Sequence, residues 1–215
     1  MKKFEKKNRN KLRRIPGRGS YKQKVVHEIL DQGFVAHVGF SIDSQPYVIP
    51  MAYGRKGNTL YLHGAASSRL INSLKQGIPV CVTVTHLDGI VLARSAFHHS
   101  MNYRSVVVFG GAIVVTPEHK ERALEIISEH ILKDRWQVAR KPNPKELKAT
   151  TVLKINIEEA SAKVRTGPPV DEKEDYNMSV WAGVIPVEQV YGTPIPDPQL
   201  DPGLLPGVEV RQIYQ

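Results

Sequence analysis

The sequence predicts a mainly β protein, with about six short antiparallel strands forming a small, closed or partly closed barrel and few helices. Two observations lead to this reading. Apolar residues alternate with period two through "FVAHVGFSIDSQPYVIPMAYGRKGNTLYLHG" and again through "PVCVTVTHL". Turn-forming residues interrupt these runs at hairpin spacing, at Asp43–Gln45, Lys56–Asn58 and Asp88-Gly89.

Element by element, Ser20 opens the first helix, because "SYKQ" has the capping-box form with Gln23 placed to reach back to the Ser20 amide. Val25, Val26, Ile29 and Leu30 form its apolar face, and Gly33 ends it. In the meander that follows, Val35, His37 and Gly39 fall on one side, and Ala36, Val38 and Phe40 on the other. "LYLHGAASSRLINSLKQG" passes from strand to helix through small residues. "PVCVTVTHL" and "GIVLARSAF" are two strands joined by a tight turn at Asp88-Gly89, and "YRSVVVFGGAIVVT" is one long or bulged strand, with Gly110-Gly111 as the place for a bulge. Thr116-Pro117-Glu118 starts a helix that runs to Leu132, and "TTVLKINIEEASAKVR" returns to strand. The division is a basic flexible arm at 1–18, a barrel domain at 19–191 and a Pro-rich tail at 192–215 laid over the barrel.

Composition narrows the function classes. Apolar content of 41% and charged content of 24% suit one soluble globular core in 215 residues. No apolar run reaches the length of a membrane span, and no apolar stretch follows the N-terminal charges as a secretory signal requires. The single cysteine, Cys81 in "VCVTV", excludes an internal disulfide and any cysteine-cluster metal site. A cytoplasmic location is expected. Residues 1–18 hold nine Lys or Arg and one Glu, a local +8 of the total +9, so the other 197 residues carry +1. The basicity therefore belongs to the arm, which is expected to make at most weak contact with polyanions such as nucleic acid.

Three stretches carry candidate chemistry. At Gly64 to Arg69 the first helical turn offers amides without intrahelical partners, Ser67 and Ser68 add hydroxyls, and Arg69 adds a guanidinium. That set suits a phosphomonoester; a serine N-cap beside a solvated arginine is the competing reading. In "RSAFHHSMNYR" the adjacent His98 and His99 point to opposite faces of a strand, which disfavours a shared metal, whereas a loop over a planar ligand with Tyr103 and Arg104 at its edge fits the composition. In "KVRTGPPVDEKEDYNMSVWAGVIP", Arg165 ends a strand, and Trp181 is either a packing anchor or a cover for a flat aromatic cofactor. No metal site is expected.

Taken together, "RGSYKQKVVHEILDQGFVAHVGF", "QPYVIPMAYG", "LYLHGAASSRLINSL", "VLARSAFHHSMNYRSVVVFG" and "VRTGPPVDEKEDYNMSVWAGVIP" resemble the pyridoxamine 5′-phosphate oxidase-like flavoproteins, in their nitroimidazole-reductase-like branch. The resemblance implies a six-stranded antiparallel split β-barrel and a homodimer with FMN at its interface. It places Ser67, Ser68 and Arg69 at the flavin phosphate, Pro50 and Met51 along the ring, and His63 and Gly64 beside it. Tyr103, Arg104, Arg165 and Trp181 complete the implied cofactor set. The sequence departs from true pyridoxamine phosphate oxidases in two places. "VIPVEQVYG" lacks their late arginines, and "YVIPMAY" replaces their basic strand element. The expected function is therefore an FMN-dependent oxidoreductase acting on a small organic acceptor such as a nitro compound or quinone, with His63, His98 or His99 as proton donor. The alternative is a non-enzymatic flavin- or haem-binding protein with His98 or His99 as iron ligand.

Overall fold

The computed structural model describes residues 2–214. Its first half runs β1 (Gly19–Ser20), α1 (Gln23–Asp31), β2 (Val35–Ile42), β3 (Gln45–Lys56), β4 (Thr59–Ala65), α2 (Arg69–Leu74) and β5 (Pro79–Leu92). There follow β6 (Ser100–Val114), α3 (Pro117–Ile131), α4 (Arg135–Val138), α5 (Pro144–Ala149), β7 (Thr150–Asn156), β8 (Glu159–Arg165), β9 (Gly183–Pro186) and α6 (Val208–Arg211). The fold is mainly β, as expected. Strands β2, β3, β4, β7, β6 and β5 pair in that order and β5 returns to β2, which makes a ring of six. β8 and β1 extend the sheet from β6, and β9 extends it from β5.

The ring holds together because two strands change partner. β3 pairs with β2 along Gln45–Ala52 and with β4 from Tyr53 to Lys56. β6 pairs with β8 from Tyr103 to Phe109 and with β7 from Ala112 to Val114. Of the two forms expected for this segment, β6 takes the long one without a bulge, since Gly110 and Gly111 stay in register with Val80 and Pro79. Gly110 instead sits at the partner change, where a Cβ would lie 2.5 Å from the Asn156 carbonyl oxygen. Asp88-Gly89 is not a turn either. β5 runs through it with a register shift between Leu87 and Gly89, and Gly89 makes room for β9. The two meander turns hold: Asp43 and Ser44 take φ of 48° and 65°, and Gly57 takes 59°.

One further expectation is corrected. Gly19 and Ser20 are drawn into pairing with Lys163 and Ala162 of β8, so α1 starts at Gln23 after Lys22 rather than at a Ser20 cap. The N-terminal segment lies against the body. Phe4 and Asn10 are buried, the Phe4 amide donates to the Tyr21 carbonyl at 2.8 Å, and Arg9 grips buried Glu159 at 2.9 and 3.1 Å. An apolar residue and an asparagine inside the basic run anchor it. "TTVLKINIEEASAKVR" divides into β7 and β8, and the chain beyond β9 is irregular except for α6.

The core fills the ring. Val26, Ile29 and Leu30 of α1 close one end, each contributing about 1.5–3 kcal/mol on burial. Tyr53 is fully buried; its hydroxyl donates to the Leu30 carbonyl, and its ring lies 4.8 Å from that of His130. His130 Nε2 donates to the Gly33 carbonyl at 2.8 Å, so α1, β3 and α3 meet in one polar knot. α3 crosses β3 so closely that a Cβ on Gly54 would lie 2.7 Å from the Ile126 carbonyl oxygen and the Ile127 Cα.

Gly54→Ala should lower the stability read from urea unfolding by about 1–3 kcal/mol, because backbone cannot yield as a side chain does. Gly111→Ala, with no atom nearer than 3.7 Å, should stay within about 0.5 kcal/mol of the parent. Burial lowers the His130 pKa below 6.5, against the opposing pull of its bond to Gly33. The unfolded chain then takes up the proton first as pH falls, so this contribution is complete above pH 6.5 and is lost progressively below it. Unfolding midpoints taken on both sides of that pH should fall less for His130→Gln than for the parent.

Candidate functional site

The strand-to-helix corner forms as the residues require. β4 ends at Ala65, the Ala66 amide donates to the Ala149 carbonyl at 2.9 Å, and Ser68 is the N-cap of α2. Gly64 lets α2 approach, because a Cβ there would lie 2.9 Å from Ile71 Cγ1. The Ser68 hydroxyl accepts from the Ile71 amide at 3.1 Å, which commits it to its own helix. The amides of Arg69 and Leu70 remain without intrahelical acceptors. Arg69 is exposed and its guanidinium lies 5.1 Å over the Tyr47 ring, which stacks on Phe40 at 5.4 Å. α2 spans six residues, so its dipole is small and the local donors carry the positive character.

The neighbouring edge of β3 is open. Among the described residues, Gln45–Ala52 pairs with β2 on one edge and has no strand partner on the other. Pro50 is exposed and Met51 half-buried on this stretch, opposite His37 and Ala36. His63 sits on β4 opposite Val152; it reaches the surface, yet burial of its ring lowers its pKa, so it is neutral at pH 7. Gly64, Ser67, Ser68 and Arg69 thus lie at the corner after β4, with His63 just before it; Arg69 reaches β3 at Tyr47, and Pro50 and Met51 follow on the open edge of that strand.

The other expected residues lie along the β5–β6 hairpin and the segments beside it. There buried Asp171 accepts from the amides of Arg94 and Ser95 at 2.9 and 3.2 Å and from the Arg94 guanidinium at 3.1 Å, pinning the loop that carries the histidines. His98 Nε2 is 3.5 Å from a Glu172 carboxylate oxygen, and His99 Nε2 donates to the Ala93 carbonyl at 3.2 Å. Tyr103 pairs with Arg165, which is buried and donates to Asn102 Oδ1 and to the carbonyls of Gly167 and Pro168. Its charge holds the turn after β8. Arg104 forms a two-point ion pair with Asp88 at 2.7 and 2.9 Å and donates to Gln32. Hydrogen bonding from Arg104 holds the Asp88 carboxyl below its usual range. Trp181 is 64% exposed and folds over Gly183, where a Cβ would meet its ring at 2.8 Å.

A cleft of ≈ 750 Å³ lies beside Arg104, walled by His86, Asp88, Gln32 and the segment Val187 to Tyr191. None of Pro50, Met51, His63, Gly64, Ser67, Ser68 and Arg69 lines this cleft. Sequence reasoning missed Asp171, which sits unmarked among other carboxylates, and Asp88, whose Asp-Gly pairing reads as a turn. It also missed Tyr47, the platform under Arg69. Among the described residues no group of three or more His, Cys, Asp or Glu is placed to hold a metal ion, and no helix is long and apolar enough to cross a membrane.

The sequence model of the family described as pyridoxamine 5′-phosphate oxidase matches residues 22–164. The chain belongs to that family. Among solved structures it is similar to the flavocytochrome Anf3 from Azotobacter vinelandii, with 36% identity, a TM-score of 0.90 and 97% of each chain covered. It is also similar to a protein from Mycobacterium smegmatis described as binding FAD and haem, with 33% identity and a TM-score of 0.89 over 92% of this chain and 97% of that one. A candidate 5-nitroimidazole antibiotic resistance protein from Bacteroides thetaiotaomicron matches at 26% identity and a TM-score of 0.58, over 68% of this chain and 86% of that one. No curated protein matches. This oxidase-family chain thus shares nearly its full length with two of the three.

Removing the cap should separate the two serines. Ser68→Ala should cost about 1 kcal/mol in thermal or urea unfolding, whereas Ser67→Ala, whose exposed hydroxyl caps nothing, should leave stability within about 0.5 kcal/mol.

Proposed function

We propose that the chain is a flavin-binding redox protein that seats the flavin phosphate at Ser67–Arg69 and lays the ring along the open edge of β3. One observation carries this reading: an arginine without a carboxylate partner and two first-turn amides without intrahelical acceptors converge beside an unpaired strand edge. The chemistry of that donor set fits a phosphate dianion, and main-chain groups near Met51 fit the polar rim of a flat ring. FMN, whose phosphate is terminal, is the assigned flavin. Bound flavin supplies hydride and single-electron transfer, while the chain sets orientation and access. His63, neutral on β4 just before the corner, would exchange a proton with a small organic acceptor.

Val35 and Val48 stand 45% and 63% exposed on the adjoining outer face of β2 and β3. A second copy of the chain closing over that face would bury them and bring in a hairpin end with His98, His99, Tyr103, Arg104 and Trp181. The homodimer is therefore part of the proposal.

A second reading adds haem. It is favoured by the coverage. The flavocytochrome and the FAD- and haem-binding protein extend over 97% and 92% of this chain, beyond the stretch that the nitroimidazole-related protein shares. His99 would hold haem iron through Nδ1, because its Nε2–H is committed to the Ala93 carbonyl, a second bond that fixes the ring. Exposed Phe97, Tyr176 and Trp181 offer apolar surface near this end.

Purified protein should retain flavin absorbance through dialysis, and the released cofactor should have the mass of FMN. A Soret band would support the haem reading. Arg69→Ala should weaken flavin binding in a fluorescence titration by about 1.5–3 kcal/mol, the worth of a charge-assisted contact. Unchanged affinity would remove the phosphate from that corner.

A further inference from the structure

Residues 2–18 form a surface that the flavin reading does not use. The segment is held by specific contacts. Asn10 accepts from the Lys7 amide at 2.8 Å and donates to the Glu5 carbonyl at 2.7 Å, and the Leu12 amide donates to the Tyr21 hydroxyl at 2.9 Å. Arg9 and Lys7 are the two cations of the strap engaged with carboxylates on the body. Lys2, Lys3, Lys6, Lys11, Arg13, Arg14 and Arg18 have no carboxylate partner among the described residues, and all but half-buried Arg18 are exposed.

Ile15 is the second, independent feature. Its φ of 52° is in the left-handed region, which a β-branched side chain enters only under strain. The Arg18 amide donates to the Ile15 carbonyl at 3.1 Å, so the Pro16–Arg18 turn holds the residue in place with 45% of its surface exposed. A strained, exposed aliphatic residue flanked by Arg13, Arg14 and Arg18 has no packing role in the barrel.

We propose that this strap docks the protein on an anionic lipid surface, with Lys11, Arg13, Arg14 and Arg18 meeting lipid phosphates and Ile15 entering the boundary between headgroups and acyl chains. Cations alone would serve any polyanion, and Ile15 decides between them. An aliphatic prong gains nothing on a nucleic-acid backbone but partitions favourably at a bilayer interface. The strap also presents no exposed aromatic for base stacking, because Phe4 is buried and Tyr21 half-buried.

The full-length protein is sedimented with phosphatidylcholine vesicles that contain or lack phosphatidylglycerol, at low and at high salt. It should travel with the anionic vesicles only, and high salt should release it. Arg13→Gln with Arg14→Gln should weaken the partition by on the order of tenfold or more. Ile15→Gly should weaken it severalfold while the melting temperature holds or rises, since glycine accepts the left-handed backbone. That divergence separates lipid contact from a structural role. Absence of vesicle binding at low salt, or equal binding by Ile15→Gly and the parent, would overturn the proposal. Displacement from vesicles by duplex DNA at equal phosphate, with Ile15→Gly bound to DNA as the parent is, would assign the strap to nucleic acid instead.

Discussion

Every strand carries two rows of backbone donors and acceptors, and a row without a strand partner is left to water, a helix or a ligand. The ring closes only because β3 and β6 share their length between two partners. Glycines stand at both changes, Gly54 under α3 and Gly110 against the Asn156 carbonyl, since side chains there would collide with backbone. The same arrangement leaves the first part of β3 open on one side. The candidate flavin seat follows from this constraint, since it lies where the sheet has run out of neighbours.

The arginines divide by what they already hold. Arg104 holds Asp88, Arg94 holds Asp171, Arg9 holds Glu159, and Arg165 holds the carbonyls of the Gly167–Pro168 turn. These act within the fold. Arg69 rests on the face of Tyr47 without a carboxylate, so its donors remain directed at solvent. An aromatic face orients a guanidinium without neutralising it, which suits a group that waits for an anion.

The fold class, the meander turns and the strand-to-helix corner were legible because each rests on local chemistry: period-two alternation, an Asn58 or Asp43 turn, a serine cap. What escaped was decided at long range. Ser20 has a good capping sequence but lies where β8 needs a partner, and pairing prevailed. Asp88-Gly89 has turn chemistry, yet the strand passes through because Arg104 holds the aspartate and β9 covers the glycine. The capping box of Asn143 and Glu146, which starts α5, was readable and was missed in a stretch that lacks apolar periodicity. The corner's residue types were legible, whereas the open edge beside it was not, because no single strand records which of its sides will be paired. The charge count of the N-terminal run suggested a loose arm, although Phe4 and Asn10 were in plain view as anchors.

The Arg9–Glu159 clasp joins residues 150 positions apart. During synthesis the basic segment leaves the ribosome well before its dock on β8. The basic segment must therefore stay solvated and unattached until β8 has been made and placed in the sheet.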